Sequence, residues 1–411
     1  MKTAPMRRAG SSWTGDARLP VLGALCLVLA GLEYLIPKPL PFLRLGLANL
    51  PLILAVDLLP PGPWFTLVAI KVLAQALIGG SLVSWVFLFS LAGSLSSALV
   101  MYGLRRAFPS RWLSLLGVSL AGAMASNLAQ LSLSRVIVFG ESARYMAPAL
   151  LATGLATGTL LGLFARHFAA QSLWYRAALT LNREPPPEIP GARPLPTESG
   201  TAQLFSHRIR AYLVLALTLS TAILFIAQAS IPARAILVLV YWGLGALHGR
   251  RMSPLRMILS TAGIVFFSLL VPSGEVLARL GPLPLTRGAL EAGLDRALAI
   301  EGLLLLSRAL ITPDLARALG RRDGLLGQTL NAFTRLTARH RREGGPRGPE
   351  KLGGTENSGG PKSHTRLIAY IDGLLIATLD EQYRPERRDI PHSPTILPSA
   401  LLLAISMFVF L

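Results

Sequence analysis

The sequence predicts an all-α, polytopic membrane protein with about eleven transmembrane helices in two bundles, six helices and then about five. Composition is the first reason: 52% of the 411 residues are hydrophobic, 15% are charged, and the mean hydropathy is +0.52, a balance foreign to soluble domains. Patterning is the second, because the apolar residues gather into runs that cross or nearly cross a bilayer. The third is where the charge lies. Lys and Arg number 40 and the net charge is +19, which on a soluble chain would suggest nucleic acid. Here the basic residues sit between the apolar runs, as the positive-inside rule describes, and nucleic acid is not an expected partner.

Residues 1–18 read as a cytoplasmic N-terminus carrying Lys2, Arg7, Arg8 and Arg18. The run 19–36 follows; Pro37-Lys38-Pro39 is a poor cleavage site, so the run is a retained helix and not a signal peptide. It contains Cys26, the single cysteine, which excludes an intrachain disulfide or a cysteine metal cluster. Runs at 47–59, 64–79, 81–103, 113–139 and 147–165 complete a first membrane domain, 19–168. The sixth run carries Gly154, Gly158 and Gly162, a doubled small-xxx-small pattern that lets another helix come close. Residues 169–208, with Glu184-Pro185-Pro186-Pro187-Glu188, cannot bury a core and read as a linker.

A second membrane domain, 209–311, holds runs at 211–231, 235–248, 256–272 and 297–311. Thr312-Pro313-Asp314 reads as a helix start outside the membrane. It opens a cytoplasmic segment, 312–395, with a Gly/Pro/Lys-rich insert at 343–364 that reads as disordered and an amphipathic stretch at 365–382. The run 396–411 is the last span. With the N-terminus in the cytoplasm, the cytoplasmic segments collect 30 of the 40 basic residues, among them three at 105–111, six at 166–210 and fourteen at 317–388. This bias fixes the orientation. The six histidines are scattered over or beside these segments, and no metal site is expected.

Against this apolar background the polar residues stand out. Glu33, Asn49, Lys71, Gln75, Asn127, Gln130 and Arg135 fall inside or at the rim of the runs, and an ammonium in hydrocarbon costs about 2.5–3.5 kcal/mol on insertion scales, so it faces a partner or a wet cavity. Gln75 lies one turn beyond Lys71 on the same face, and Glu33 is the nearest candidate partner. Asn127, Gln130 and Ser134 recur at helical spacing. An outward-facing pocket between the first, third and fifth helices accounts for all of them. Asn127 alone is equally explained as a polar tie between helices, while Ser94, Ser96 and Ser97 read as packing residues.

Glu33-Tyr34-Leu35-Ile36-Pro37, the block Leu45-Gly46-Leu47-Ala48-Asn49-Leu50, Lys71 on to Gly79, Gly93-Ser94-Leu95 on to Met101, and Gly122 on to Gln130 resemble a bacterial family. That family is the Gx transporters, also described as heptaprenyl diphosphate synthase component I. The resemblance covers about residues 19–168 and implies the six-helix, substrate-binding S component of energy-coupling-factor (ECF) transporters, which captures a vitamin-like solute from outside. The second half is similar, more weakly, to the T component of those transporters, through Gly288-Ala289-Leu290, Asp295, Arg296, Ser307-Arg308-Ala309-Leu310 and Thr312-Pro313-Asp314-Leu315. The resemblance makes 312–395 a coupling segment that docks into ATPase subunits. Where that family carries Ala-Arg-Gly, this sequence has Ala338-Arg339-His340. The small residues Gly23, Cys26 and Ala30 of the first helix loosely match those through which S components contact the T component.

The expected function is therefore a membrane subunit of an ECF-type ABC importer, multi-pass in the bacterial inner membrane, binding a small solute through the seven polar residues named above. No G-x-x-x-x-G-K-[ST] loop occurs, so the chain is not expected to hydrolyse ATP; no cofactor of its own is expected, and ATP would be used by partner ABC-type ATPase subunits. Membrane lipids are the other expected partner, the basic cytoplasmic surface being topological charge or an anionic-lipid contact. The alternative is a noncatalytic membrane component of heptaprenyl diphosphate synthase. Prenyl transfer needs clustered aspartates to hold Mg²⁺ on diphosphate, and no Asp-Asp-x-x-Asp cluster occurs.

Overall fold

The computed structural model describes residues 18–35, 46–109, 111–181, 201–247, 254–281, 283–310 and 397–410, with isolated positions at 325, 328, 329, 332, 333 and 371. The N-terminal segment, the outer loop at 36–45, residues 182–200, and nearly all of 312–395 with its insert lie outside the described residues. The first half contains α1 (Arg18–Leu35), a 3₁₀ turn (Leu47–Asn49), α2 (Leu50–Ala55), α3 (Pro61–Gly79), α4 (Trp85–Ala107), α5 (Leu115–Ser134), α6 (Ala143–Gln171) and α7 (Leu173–Leu181). The second half contains α8 (Thr201–Ala227), α9 (Ile231–Leu247), α10 (Pro254–Leu269), an antiparallel hairpin of β1 (Val276–Leu280) and β2 (Leu283–Thr286), α11 (Arg287–Leu310) and α12 (Leu397–Phe410).

Helix ends follow local chemistry. The α3 helix stops at Gly80, whose φ of 61° suits glycine, and the Ser81 N–H closes back on the Ala76 carbonyl at 2.8 Å. Ser114 caps α5, its hydroxyl accepting from Gly117 N–H. Arg105 and Arg106 lie in the last turn of α4, where cations suit the helix dipole. Arg105 also grips Asp57 with both arms of its fork at 2.6 Å and donates to the Leu113 carbonyl at 2.7 Å. This ties the α2–α3 connection to the end of α4 and the start of α5. Arg105→Lys keeps the charge but loses the fork; we expect it to lower the unfolding free energy by about 1–2 kcal/mol, read as a reduced melting midpoint in lipid nanodiscs.

Three apolar clusters build the interior. The first joins α1–α7 around Trp64, whose indole N–H donates to the Leu52 carbonyl at 3.1 Å and so pins α2 to α3. The second joins α4, the α5–α6 corner and α6 to α10 and α11. It makes the two halves one packed body, with Val83 N–H on Ser307 Oγ at 3.1 Å at the same seam. The third packs α8, α9 and α12 around α11, whose residues from Ile300 to Ser307 are all buried, the mark of a central helix. Arg234 pairs with Asp295 across α9 and α11. Tyr241 and Ser406 hydrogen-bond at 2.9 Å across α9 and α12. Leu325 packs on the first cluster, and positions 329, 332 and 333 bear on α1: Thr329 against Gly23, Ala332 against Ala24, with Phe333 and Val28 beside them.

Three helical stretches are long and apolar enough to cross a membrane: Trp85–Ala107, Leu115–Gln171 and Ile209–Ala227. The second, 57 residues long, turns back at a π-helical turn (Arg135–Phe139) and Gly140, whose φ is 52°, so α5 and α6 run antiparallel. Four shorter apolar helices, Pro61–Leu73, Ile231–Leu247, Pro254–Leu269 and Pro398–Val409, accompany them. Leu99, Leu160, Leu239 and Phe408 stand exposed on the outer surface, as lipid contact requires.

The structure departs from the expected elements at four points. The run 47–59 is not one long helix: it holds the 3₁₀ turn and α2, whose six residues are all buried, far short of the ~20 residues of an upright transmembrane helix. The expected linker at 169–208 is narrower, since α6 runs on to Gln171 and α7 follows with Trp174, Tyr175 and Ala178 buried. Burial pushes the Tyr175 phenol well above its ordinary value, so it stays neutral. The β1–β2 hairpin interrupts what is otherwise all-α among the described residues. Finally, α11 begins at Arg287, ahead of the expected run at 297.

Candidate functional site

Between α1, α3, α4, α5 and α6 lies a cavity with about 30 Å³ of room for water-sized contents. Polar side chains share its lining with Ala48, Ile53, Met101, Ala123 and Leu161 although every helix around it is apolar, and the glycines explain how. A Cβ on Gly93 of α4 would lie 2.5 Å from Gln130 Nε2, and one on Gly154 of α6 would lie 2.3 Å from Asn127 Nδ2. Gly122 likewise leaves room for Ser97 and Met101. Small residues thus let the helices close up while long polar side chains of α5 still fit between them.

Six of the seven polar residues singled out from the sequence line this cavity: Glu33 at the end of α1, Asn49 in the 3₁₀ turn, Lys71 and Gln75 on α3, and Asn127 and Gln130 on α5. Lys71 is 4% exposed; its ammonium donates to Asn49 Oδ1 and, at 3.1 Å, to Ser94 Oγ. Glu33 is 3% exposed and its Oε2 accepts from the Gly46 and Leu47 N–H groups, both at 3.1 Å. Gly46 has φ 79°, a left-handed conformation that turns these two N–H groups toward α1. The carboxylate therefore holds the 3₁₀ turn that carries Asn49, and Asn49 in turn holds Lys71.

Asn127 donates through Nδ2 to the Leu150 carbonyl of α6, so it ties helices together and lines the cavity at once. Gln130 Nε2 donates to Ser126 Oγ at 3.2 Å. Its Oε1, together with Gln75 Oε1, Ser90 Oγ and Ser97 Oγ, is buried with no hydrogen-bond partner among the described residues. Four orphaned polar atoms around one hollow are unusual, because each costs on the order of 1–3 kcal/mol unless a ligand or water meets it.

Arg135 is the exception. It follows Ser134 with α-helical backbone angles, about 100° further round the helix, and it pairs with Glu141 at 2.7 Å with both side chains more than half exposed. It does not line the cavity. Arg135→Ala is expected to change ligand binding less than about twofold and stability by no more than ~0.5 kcal/mol, by titration and thermal unfolding of the same preparation.

The hydroxyls give no comparable signal in the sequence. Ser90, Ser94, Ser97, Ser119, Ser126 and Thr157 all line the cavity, and Ser94, expected to be a packing residue, accepts from Lys71. Ser90, Ser94, Ser97 and Met101 recur at four-, three- and four-residue steps on one face of α4; that stripe is the one mark by which they could be found.

Comparison with known families meets this geometry at its centre. Residues 22–168 match the family model described as heptaprenyl diphosphate synthase component I. The matched segment contains every residue that lines the cavity. A second model, described as a domain of unknown function (DUF8519), matches residues 207–312, which is α8 to the end of α11. No curated protein and no solved structure matches the chain.

Proposed function

We propose that the heptaprenyl diphosphate synthase component I-like half is a solute-binding module of the S-component kind, and that the chain is the membrane part of an ECF-type importer in a bacterial inner membrane. The observation that carries this is the polar cavity itself: a buried Lys71 and Glu33, each held by hydrogen bonds, beside four orphaned polar atoms, inside an apolar bundle. Intramembrane ionisable groups that are positioned, and not merely tolerated, mark a substrate or ion path. Glu33, Asn49, Lys71, Gln75, Asn127 and Gln130 would contact the solute. The second half would act as the T-like module, completing about eleven spans in two bundles with the N-terminus in the cytoplasm. Its coupling-like segment touches α1 through Thr329 and Ala332, the side on which S components meet their T component. ATP would be hydrolysed by partner subunits.

The second reading, a noncatalytic partner in heptaprenyl diphosphate synthesis, is favoured by the description of the matching family. One experiment separates the two. The full chain is purified from its native membranes in mild detergent, with its bound subunits identified by mass spectrometry and ATP turnover measured. Copurifying ABC-type ATPases whose turnover depends on the chain are expected. Recovery of a soluble prenyltransferase without any ATPase would move the function to the second reading.

A further inference from the structure

The second half holds a buried acid of its own, and what it binds does not depend on what the cavity binds. We infer that Glu301, on the central helix α11, is a proton-binding site: its carboxyl group rests neutral between α10 and α11, hydrogen-bonded to Ser260, and its proton is exchanged when the two helices part.

Helix packing puts the carboxyl there. A Cβ on Gly293 would lie 3.0 Å from Ser268 Cβ and 3.1 Å from Val265 Cα, so the backbones of α10 and α11 close up at that level. Four-residue steps along the antiparallel pair then bring Ile264 level with Ala297, which share an apolar cluster, and Ser260 level with Glu301. On another flank a Cβ on Gly302 would run into the Phe225 ring of α8, and Phe89 of α4 clusters with Ile300 and Leu304. Glu301 is 4% exposed as a result.

An ionised carboxylate in such a place needs donors for both its oxygens. The chain supplies them to its other enclosed acids: two backbone N–H groups to Glu33, the Arg105 fork to Asp57 and the Arg234 guanidinium to Asp295. Among the described residues, Glu301 has the Ser260 hydroxyl and the field of Arg308, two turns further along α11. The remaining cations on this face are Arg234 of α9, engaged by Asp295; Arg296, which donates to Ser268 at 3.2 Å; and Arg256, one turn from Ser260 on α10. A hydroxyl and a guanidinium two turns away do not replace the water that a carboxylate loses, so the acid is the cheaper form in hydrocarbon. The acid also uses Ser260, whose Oγ is buried and makes no bond to its own helix: the carboxyl O–H donates and the hydroxyl accepts. Release of the proton to water requires water to reach the carboxyl, hence separation of α10 from α11. The same helix carries Ser307 onto Val83 of the first half, so proton exchange bears on the seam between the halves.

The test is infrared spectroscopy of the full chain in nanodiscs of ether lipids, which lack ester carbonyls, at about pH 7.5, where ordinary carboxyl groups are ionised. The wild-type protein should show the C=O band of a carboxylic acid, Glu301→Gln should lose it, and Glu33→Gln should keep it. Ser260→Ala should move the band without removing it, which reads the hydrogen bond even where Glu301→Gln does not fold. The folded protein keeps a proton that the unfolded chain releases, so the wild-type thermal midpoint should fall between about pH 6 and about pH 9, and fall less in Glu301→Gln. Absence of the band, or a band lost in Glu33→Gln and kept in Glu301→Gln, overturns the inference. A midpoint raised by sodium or potassium ions in the wild type and not in Glu301→Gln, with no band, overturns it in favour of a metal cation.

Discussion

Lys71→Met should cost the protein about 3–5 kcal/mol of stability and abolish solute binding, the largest effect expected of any single change in the cavity. The ammonium is buried and bridges Asn49 and Ser94. Its loss strands the Asn49 carbonyl oxygen and leaves Glu33, 3% exposed, as the sole ionisable side chain among the described lining residues. Removing one of two buried opposite charges is expensive chiefly because of what is left behind. Glu33→Gln does the converse, while its amide oxygen can still accept from Gly46 and Leu47. The double variant Lys71→Met/Glu33→Gln strands no charge, so it should be more stable than the sum of the two single losses by about 1–3 kcal/mol. Unfolding of the four proteins in nanodiscs gives the coupling directly. Additive losses would mean that the two charges do not sense each other across the cavity.

That six residues spread from position 33 to position 130 surround one hollow was legible in the sequence for a single physical reason. Lys, Glu, Gln and Asn are costly in hydrocarbon, so each must find a wet or paired place, and a bundle of this size has few. Serine escapes the same logic. Its hydroxyl can satisfy itself on a carbonyl one turn back, as Ser220 does on Ala216, so a membrane serine costs little and signals little. That is why the α4 stripe, including the partner of Lys71, is silent in the sequence. Arg135 was counted with the lining residues because it stands beside Ser134 at the rim of the run, but one α-helical step of about 100° turns it away from that face and toward Glu141. The run 47–59 was not resolved into its parts because apolar content alone does not distinguish a long helix from a short buried one; between Pro51 and Pro60-Pro61 the helix has six residues. The hairpin was hidden in a largely apolar stretch whose turn mark is Gly281-Pro282, Gly281 having φ 63°, between Leu280 and the paired Leu283. The positions of the long helices were readable because helix length and bilayer thickness constrain one another; their mutual contacts, set by which face carries glycine, were readable only on α6.

The glycine face of α6 carries the second large prediction. In lipid, helices gain nothing by hiding apolar surface from one another, so contact depends on backbones coming close. A Cβ on Gly162 would lie 2.7 Å from Leu116 Cα, and one on Gly158 would lie 2.9 Å from Ala123 Cβ and 3.1 Å from Leu120 Cα. Backbone atoms cannot give way as a flexible side chain does, so the helices must part. Each of Gly158→Ala and Gly162→Ala should cost about 1–3 kcal/mol as overpacking, and the pair should cost more, because parting α5 from α6 also breaks the bonds from Ser119 Oγ to the Gly158 carbonyl and from Asn127 Nδ2 to the Leu150 carbonyl. Since Gly158, Ser119 and Asn127 all line the cavity, binding should fall together with stability. Gly103 on α4 supplies the control: nothing lies within 4 Å of its would-be Cβ, so Gly103→Ala should be neutral or stabilising. Thermal unfolding of the four proteins decides the matter. If Gly158→Ala and Gly162→Ala melt like Gly103→Ala, the close approach of α5 and α6 is not what holds the cavity wall in place.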